Sequence, residues 1–413
     1  MPHSLRDRPW QTEAMRIRNA LRGLFIGDAL AMPAHWYYNV DNIRRDFDGG
    51  VSGYADAPTP HPESFMVGMA YRPDVDVARE LGRPFDILHE HARFYRTTYS
   101  DLVIDTSERE SEHGNAVPKL EDRYHYHHGL KAGENTLAAH LARVLMRSVA
   151  EHGGYAPDAF LDAFVTYMTT PGLNRDPYCE IYVRCWFEHY TRGWPLHACA
   201  EEQRNVWSIG SHGGMIRPLV LALMDDSAYQ ALGFALEHQN LTHRSENVSS
   251  ALAVAVPLLH ALARGGDIRE LVPEALARLR VPKVTGEELF RLYRDHKGPG
   301  NIPPDEMWRL HTDLEEAPVE AARLATACYT EHGLPLMLAL ARDHDYDFEA
   351  TLLASVNLGG DNVHRTAVLG MLMGAATEEL PAHLVEGLVD REEIEGEIER
   401  FMRPGAGGRE PGA

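Results

Sequence analysis

Apolar residues recur along this 413-residue chain at the spacing of α-helices, and this periodicity constrains the fold more than any other feature. Within Thr136–Val149, one face of the predicted helix is apolar: Leu137, Leu141, Val144, Leu145 and Val149. Met215–Met224 and Ser250–Arg264 are apolar on nearly every face, which is typical of helices inside a bundle. Strand-like alternation is not sustained anywhere. The sequence therefore predicts an all-α fold, a single large helical bundle.

The domain organisation follows from the lack of internal repeats and of a linker with a change in composition. A chain of this length can form one large domain or a few smaller ones. We expect residues 1–404 to form one all-helical domain and Gly405–Ala413, which is rich in glycine, to be a flexible tail. Two long polar segments, Asp46–Asp74 and Thr106–Arg123, are predicted loops, and loops of such length are usually functional or mobile.

Composition argues against several classes of function. The formal net charge is −21 and no run of Lys and Arg is present, whereas nucleic acids and anionic membranes require a positive surface. A small anionic ligand in a local pocket is compatible with this charge. The four cysteines are sparse and form no CxxC pair, as in a reducing compartment. Since the N-terminus shows no signal peptide and Ser250–Ala263 is too short to span a bilayer, we expect a cytoplasmic protein.

Asn357–Gly374 (NLGGDNVHRTAVLGMLMG) is the segment most indicative of a ligand site. Its two glycines lie directly before Asp361, Asn362 and His364, which open a predicted helix of small and apolar residues. The start of a helix offers unpaired N–H groups and the positive end of the helix dipole, and glycines allow close approach to the backbone. Because burying such polar side chains is costly, the segment predicts a functional site.

Three further segments combine polar side chains with a predicted helix boundary. They are Gly27–Pro33 (GDALAMP), which contains Asp28 and precedes His35; Gly133–Thr136 (GENT), which contains Glu134 and Asn135; and the pair Thr242-His243. In each case the side chains could contact a ligand or could cap a helix, and local sequence leaves both interpretations open.

A histidine cluster, His125, His127 and His128, lies within the run YHYHHG. Imidazoles are good ligands for transition metals, but no partner cluster with metal-ligand spacing is visible. We expect most of these rings to be hydrogen-bonded or exposed.

Two other runs carry polar side chains. Asp176, Glu180 and Arg184 lie four residues apart, so on a helix they would share one face, and we predict surface ion pairs rather than substrate contacts. Ser211–Gly214 precedes an apolar helix and is compatible with phosphate binding on backbone N–H groups or with a plain turn.

In this order, the four helix-boundary segments resemble the motifs of the ADP-ribosylglycohydrolase family over roughly residues 15–385. Gly27–Pro33 is similar to the family's G-D-A-x-G-x-P, apart from Ala31. Gly133–Thr136 stands in the place of its T-D-D-T, and Thr242-His243 matches its Thr-His pair. Asn357–Gly374 follows the frame of its N-x-G-G-D-T-D-T. The resemblance implies an all-α fold, a magnesium centre, and cleavage of the glycosidic bond at the ribose C1 of ADP-ribose adducts or related nucleotides.

The chain departs from the family's motifs at the positions that hold the metal. Glu134 and Asn135 replace two consecutive aspartates, and Val363 replaces the second aspartate of the last motif. His35 stands where a glutamate often follows the first motif. Only Glu134 and Asp361 remain of roughly four carboxylates, and tight binding of hard divalent cations depends on such charge. We therefore expect a single weakly bound Mg²⁺ or none.

The resemblance and the local signals together predict roles for individual residues. The predicted catalytic residues are Glu134, Asp361, His364 and His35; the predicted substrate contacts are Asp28, Asn135, Thr136, His243, Asn362 and His128; and the predicted metal ligands are Glu134 and Asp361. We expect Glu134 and Asp361 to converge from two helix starts on one ribose-sized cavity.

Three functional hypotheses remain open at this point. The chain could hydrolyse an N-ribosyl bond, could act without metal on another nucleotide-derived metabolite, or could bind ADP-ribose or a nucleotide without catalysis. In each case the partner is a small molecule, and the oligomeric state is left open.

Overall fold

The computed structural model describes residues 9–64, 66–99, 109–110, 116–117, 123–202, 210–282, 316–319 and 324–403. The predicted tail, Gly405–Ala413, and most of the predicted loop Thr106–Arg123 lie outside these residues.

The α-helices of the described residues account for most of their regular structure. In chain order they are α1 (Pro9–Ala31), α2 (Val40–Asp46), α3 (Val75–Glu80), α4 (Leu137–His152), α5 (Pro157–Thr169), α6 (Ile181–Thr191), α7 (Gly213–Ala222), α8 (Ala228–Thr242), α9 (Glu246–Ala263), α10 (Ile268–Arg278), α11 (Thr330–Asp343), α12 (Phe348–Asn357), α13 (Asn362–Ala376), α14 (Ala382–Glu386) and α15 (Arg391–Phe401). Short 3₁₀ helices are Met32–Ala34, Met66–Gly68, His89–Phe94 and Leu196–Ala198.

The strands in the described residues are only two or three residues long. The parallel pairs are β1 (Ala70–Tyr71) with β2 (Arg96–Thr97) and β5 (Glu201–Glu202) with β6 (His243–Arg244); the antiparallel pairs are β3 (Arg109–Glu110) with β4 (Ala116–Val117) and β7 (Arg280–Pro282) with β8 (Glu316–Pro318). In register, Ala70 lies opposite Arg96 and Glu201 opposite His243. The predicted all-α fold is confirmed.

The centre of the bundle is a backbone contact between α1 and α13. A Cβ atom at Gly23 would lie 2.0 Å from the backbone oxygen of Gly370, and one at Gly374 would lie 2.2 Å from that of Asn19. No larger residue fits at these crossings, because real side chains do not approach a carbonyl so closely. These glycines therefore serve packing, and they place the start of α13 against the end of α1.

The apolar helix α9 is longer than the sequence predicted. It begins at Glu246, because the side chain of Ser245 accepts a hydrogen bond from the backbone N–H of Val248 and caps it. Thr242 instead ends α8, so the interpretation of Thr242-His243 as the cap of the apolar helix is wrong. By length and composition α9 could span a membrane, but half of it is buried inside the protein, and core packing accounts for its apolar composition.

Four helices begin around one cavity, and this convergence positions the candidate site. Ile181 opens α6, Tyr329 precedes α11, Ser211 lies just before α7, and Asp361 precedes α13; all four residues line the cavity. The unpaired N–H groups and dipoles of these helices give the cavity wall a positive contribution to its electrostatic potential.

Candidate functional site

The cavity has a volume of about 400 Å³, which lies within the range of small-molecule sites. Five aromatic side chains form much of its wall: Trp36, Tyr38, Tyr126, Tyr178 and Tyr329. Polar groups also line it: Glu180, Arg184, Ser211, Asp361 and His364. The cavity thus combines flat apolar surfaces with a few charged side chains, as in sites for ligands that carry both rings and charge.

The glycine turn before α13 forms as predicted and locks the segment after His35 in place. Gly359 and Gly360 both have positive φ, +66° and +69°. A Cβ atom at Gly359 would lie 2.0 Å from the backbone oxygen of Tyr37, and one at Gly360 would lie 2.1 Å from that of Thr326. The backbone N–H of Trp36 donates to Gly360, so the turn fixes the aromatic wall beside Asp361.

Asp361 lies at the centre of the site and is surrounded by imidazoles. Its Oδ1 is 3.0 Å from Nε2 of His35 and 2.7 Å from Nδ1 of His364, and its Oδ2 is 3.3 Å from Nε2 of His212. All four side chains are at least 98% buried. Burial alone would raise the pKa of Asp361, but the neighbouring His364 and His212 hold that pKa well below its ordinary value.

His364 bridges two carboxylates at the cavity wall. Its Nδ1 faces Asp361, and its Nε2 lies 3.2 Å from Oε1 of Glu180. Burial would lower the pKa of His364, but the two carboxylates raise it well above the ordinary value. The His364 ring therefore lies between the carboxylates of Asp361 and Glu180. Both of these residues line the cavity.

A buried chain of hydrogen bonds extends from Asp361 away from the cavity. His35 Nδ1 lies 2.7 Å from Nε2 of His127, and Nδ1 of His127 lies 2.9 Å from Oδ1 of Asp176. The carboxylate of Asp176 also accepts the backbone N–H groups of Leu137 and Tyr178. Burial lowers the pKa of His35 to about 3. His35 is therefore neutral, and this hydrogen-bonded series connects the buried carboxylates of Asp361 and Asp176 through His35 and His127.

Glu134 does not share the cavity of Asp361, so the predicted convergence of these two carboxylates is wrong. Glu134 lines a separate cavity of about 120 Å³, together with Arg175 and Asp176. Its Oε1 lies 2.8 Å from Arg175, and its Oε2 accepts the backbone N–H of Lys131. The physical reason is local: the turn that ends at Glu134 folds its side chain back onto the backbone of that turn.

Hydrogen bonds connect α1 to the start of α4 through Asp28, Asn135 and Thr136. The Asp28 carboxylate accepts hydrogen bonds from Asn135 Nδ2, from the backbone N–H of Thr136 and from the Thr136 hydroxyl, at 2.6–2.8 Å. Burial raises the pKa of Asp28. None of the three lines the aromatic cavity. Helix α4 is capped by the distant Asp176, and not by Asn135 or Thr136 as one interpretation held.

The other predicted substrate contacts also lie outside the cavity lining. His243 is buried, bonds the Thr242 hydroxyl at 2.9 Å and packs on Tyr182. Asn362 donates to the backbone oxygens of Ala34 and Val356.

The histidine cluster is divided in the fold. His128 is half-buried and lies 3.0 Å from the Thr59 hydroxyl. His125 is buried and its Nε2 lies 3.0 Å from the backbone oxygen of Pro33, whereas His127 belongs to the buried chain behind Asp361. The expectation that most of these rings are hydrogen-bonded agrees with these contacts.

Glu180, Arg184 and His212 surround Asp361 but are not among the predicted site residues. The sequence predicted surface ion pairs for Glu180 and Arg184, and either a phosphate contact or a turn for Ser211–Gly214. The interpretation of Asp176, Glu180 and Arg184 as a surface helix face is wrong, because α6 begins only at Ile181 and Asp176 is buried. Pro177 carried a usable signal, since a residue before proline is disfavoured in the helical conformation. Arg184 is buried and donates to the backbone oxygens of Cys179 and Ala70.

The donor atoms around Asp361 do not suit Mg²⁺. That ion prefers oxygen ligands in near-octahedral arrangement, whereas the groups that face Asp361 here are imidazole nitrogens. The second predicted ligand, Glu134, lies in the other cavity. The predicted pairing of Glu134 and Asp361 on one magnesium ion is therefore not formed.

The fold and this site define an all-helical protein with an aromatic cavity that carries two carboxylates at helix starts. The ADP-ribosylglycohydrolase family model matches residues 9–410, and the chain belongs to that family. Among solved structures, a chain titled "ADP-ribosylglycohydrolase-related protein complex" is 19% identical, with a TM-score of 0.53 over 96% of this chain and 99% of that chain. This likeness shows the shared fold. No curated protein sequence matches the chain.

Proposed function

We propose that the chain hydrolyses the bond at the ribose C1 of an ADP-ribose or nucleotide-derived substrate bound in the aromatic cavity. The observation that carries this proposal is the pair of carboxylates, Asp361 and Glu180, held on the two nitrogens of His364 at the cavity wall. Family membership supports glycosidic-bond hydrolysis as the reaction class.

The chemistry requires negative charge beside the ribose. Water attacks C1, the bond from C1 to the leaving group breaks, and the leaving group keeps the electron pair and takes a proton. Positive charge develops on the ribose ring in the transition state, and a nearby carboxylate stabilises it. Glu180, whose side chain is 12% exposed, is placed to accept a proton from the attacking water, while Asp361 is placed to stabilise the ring.

The cavity walls match a nucleotide-like ligand. Trp36 and Tyr38 offer flat faces for a base, and such stacking tolerates different bases. The buried Trp36 Nε1 has no hydrogen-bond partner in the described part of the chain and is available as a donor. The four helix starts favour an anionic group such as a phosphate. No step of this proposal runs through Mg²⁺.

The test is product detection with the purified full chain. A panel of an ADP-ribosylated peptide, a free nucleotide and a ribonucleoside is incubated with the chain, and mass spectrometry follows release of the ribosyl product. We expect one class to be hydrolysed, and Glu180→Gln to lose most of that activity. The matched surface change Glu349→Gln should retain it. Saturable binding of ADP-ribose without any product would instead establish a non-catalytic binding protein.

A further inference from the structure

The hydrogen-bond chain behind His35 fixes which of its ring nitrogens carries the proton. Asp176 accepts two backbone N–H groups, so its carboxylate acts as an acceptor toward Nδ1 of His127. In the neutral ring, Nε2 of His127 then accepts from Nδ1 of His35. The remaining nitrogen, Nε2 of His35, is left without a proton, yet it faces Asp361 Oδ1 at 3.0 Å.

His364 presents a second ring nitrogen to Asp361. Its Nε2 faces the Glu180 carboxylate at 3.2 Å and is the donor of that contact. Its Nδ1 lies 2.7 Å from the same Asp361 oxygen and is buried without a well-directed hydrogen bond in the described residues. Two ring nitrogens and one carboxylate oxygen thus point at one another in a buried place, where a shared positive charge stabilises them.

A proton on a ring or one metal cation would supply that charge. A proton joins only one ring nitrogen to the carboxylate. One divalent cation satisfies both nitrogens and the carboxylate together. The three candidate ligand atoms lie within 4.8 Å of one another, and Asp361 Oδ2 is buried without a hydrogen-bond partner in the described residues.

The outer hydrogen-bond partners of His35 and His364 are of the kind that metal-binding histidines usually have. A ligating imidazole normally donates its far N–H to a carboxylate or another acceptor, which fixes the ring and its tautomer. Here the far nitrogen of His364 meets Glu180, and that of His35 meets His127, which is in turn held by Asp176. His212 instead lies 3.0 Å from the backbone oxygen of Asp361 and holds that residue from behind.

We infer that His35 Nε2, His364 Nδ1 and the Asp361 carboxylate form a site for one divalent transition-metal ion of the zinc or iron type. Two imidazoles and one carboxylate with an open face are typical of such metals, and Mg²⁺ prefers oxygen ligands. Asp361 and His364 line the aromatic cavity, so an ion held by them would be accessible from it. The inference concerns the ion alone and does not depend on whether the cavity hydrolyses a ribosyl bond.

The test is metal content, measured without reference to activity. The full chain is treated with a chelator, dialysed separately against Zn²⁺, Co²⁺ and Mg²⁺, and analysed by mass spectrometry of the metals. We expect about one equivalent of Zn²⁺ or Co²⁺, no retained Mg²⁺, and a visible absorption spectrum of bound Co²⁺. No retained Zn²⁺ or Co²⁺, or equal retention of Mg²⁺, would overturn the inference.

Variants assign the site, because a chain with many histidines can bind metal nonspecifically. His364→Gln and His35→Gln should weaken Zn²⁺ binding by more than about 100-fold, and His127→Gln by about 10–100-fold, the usual effect of losing an outer partner. The matched control is His383→Gln at an exposed histidine that pairs with Glu349. If the site variants retain as much metal as the control, the inference is wrong. If they fail to fold, a Co²⁺ spectrum of the wild type without nitrogen-ligand features contradicts it.

Discussion

The beginnings of α4 and α13 are similar in sequence but differ in how their polar atoms are satisfied. Each follows a glycine of positive φ, +80° at Gly133 and +69° at Gly360. At α4, the Asp28 carboxylate accepts hydrogen bonds from two neighbours, and Asp176 caps the helix. At α13, Asp361 lines the aromatic cavity, and its Oδ2 is buried with no hydrogen-bond partner among the described residues.

This difference distinguishes a helix start that serves the fold, at α4, from one that belongs to a candidate active site, at α13. Buried polar atoms are nearly always paired, so a cluster that is fully paired by its own chain is explained by folding. A buried atom that is left unpaired beside a cavity is explained by something that enters the cavity. In this chain the same kind of local motif has taken both roles, and the hydrogen-bond partners distinguish them.

The largest expected effect on activity comes from a change at Asp361, directly before α13. Asp361→Asn keeps the shape of the side chain and removes its charge, so we expect kcat/KM on the hydrolysed substrate to fall by about 10³-fold or more. Circular dichroism checks that the variant is folded. Because the Asp361 carboxylate pairs with buried imidazoles, some loss of stability is expected as well. Activity within a few-fold of wild type would remove Asp361 from the site.

On the α4 side, the expected effect is on stability. Asp28→Ala leaves three hydrogen-bond donors without their acceptor, and we expect the free energy of unfolding to fall by about 3 kcal/mol or more. The exposed change Glu274→Ala, which removes a surface ion pair with Arg278, should cost less than about 1 kcal/mol. Urea denaturation measures both. If the folded Asp28→Ala chain loses turnover without losing stability, Asp28 belongs to the active site and the comparison fails.

The third prediction concerns how the stability of the protein depends on pH through His140, at the start of α4. Burial lowers the pKa of His140, in the first turn of α4, to about 4. The unfolded chain binds a proton at this residue below about pH 6.5, and the folded chain does so only below about 4. The His140 contribution to stability is therefore present above pH 6.5 and is lost as the pH falls from 6.5 toward 4, by up to about 3 kcal/mol.

Urea denaturation of the wild type and of His140→Gln at several pH values isolates this contribution from other buried histidines. The wild type should lose more stability than the variant between pH 6.5 and 4. Parallel curves for the two proteins would show that His140 is already solvated in the folded chain.

Much of the fold could be predicted from the sequence, because helix periodicity is a local property. The apolar face of α4 and the glycine turn before α13 are read directly from neighbouring residues. The direction of a polar side chain is a different matter, since it depends on partners that are distant in sequence. Glu134 turns to Arg175 and to its own turn, and nothing in the run GENT indicates this.

Of the candidate site, the sequence indicated only the part that lies within one segment. Asp361 and His364 lie three residues apart on the start of α13, so their proximity follows from helix geometry. Glu180 and His212 come from the starts of α6 and α7, and no local pattern shows that these helices meet α13. Pro177 was the one local sign that residues before α6 are not helical.

The smallest expected effect is also the sharpest test of the comparison. Glu134→Gln alters the carboxylate that the family resemblance assigned to the metal and to catalysis, yet its charge faces Arg175, whose side chain is 68% exposed. An ion pair with so exposed a partner contributes little, so we expect a loss of less than about 1 kcal/mol in stability and less than about threefold in kcat/KM. The same kinetic assay as for Asp361→Asn measures it. A loss comparable to that of Asp361→Asn would mean that the start of α4 approaches the aromatic cavity when substrate is bound, because in the described residues Glu134 lines the smaller cavity and not the aromatic one.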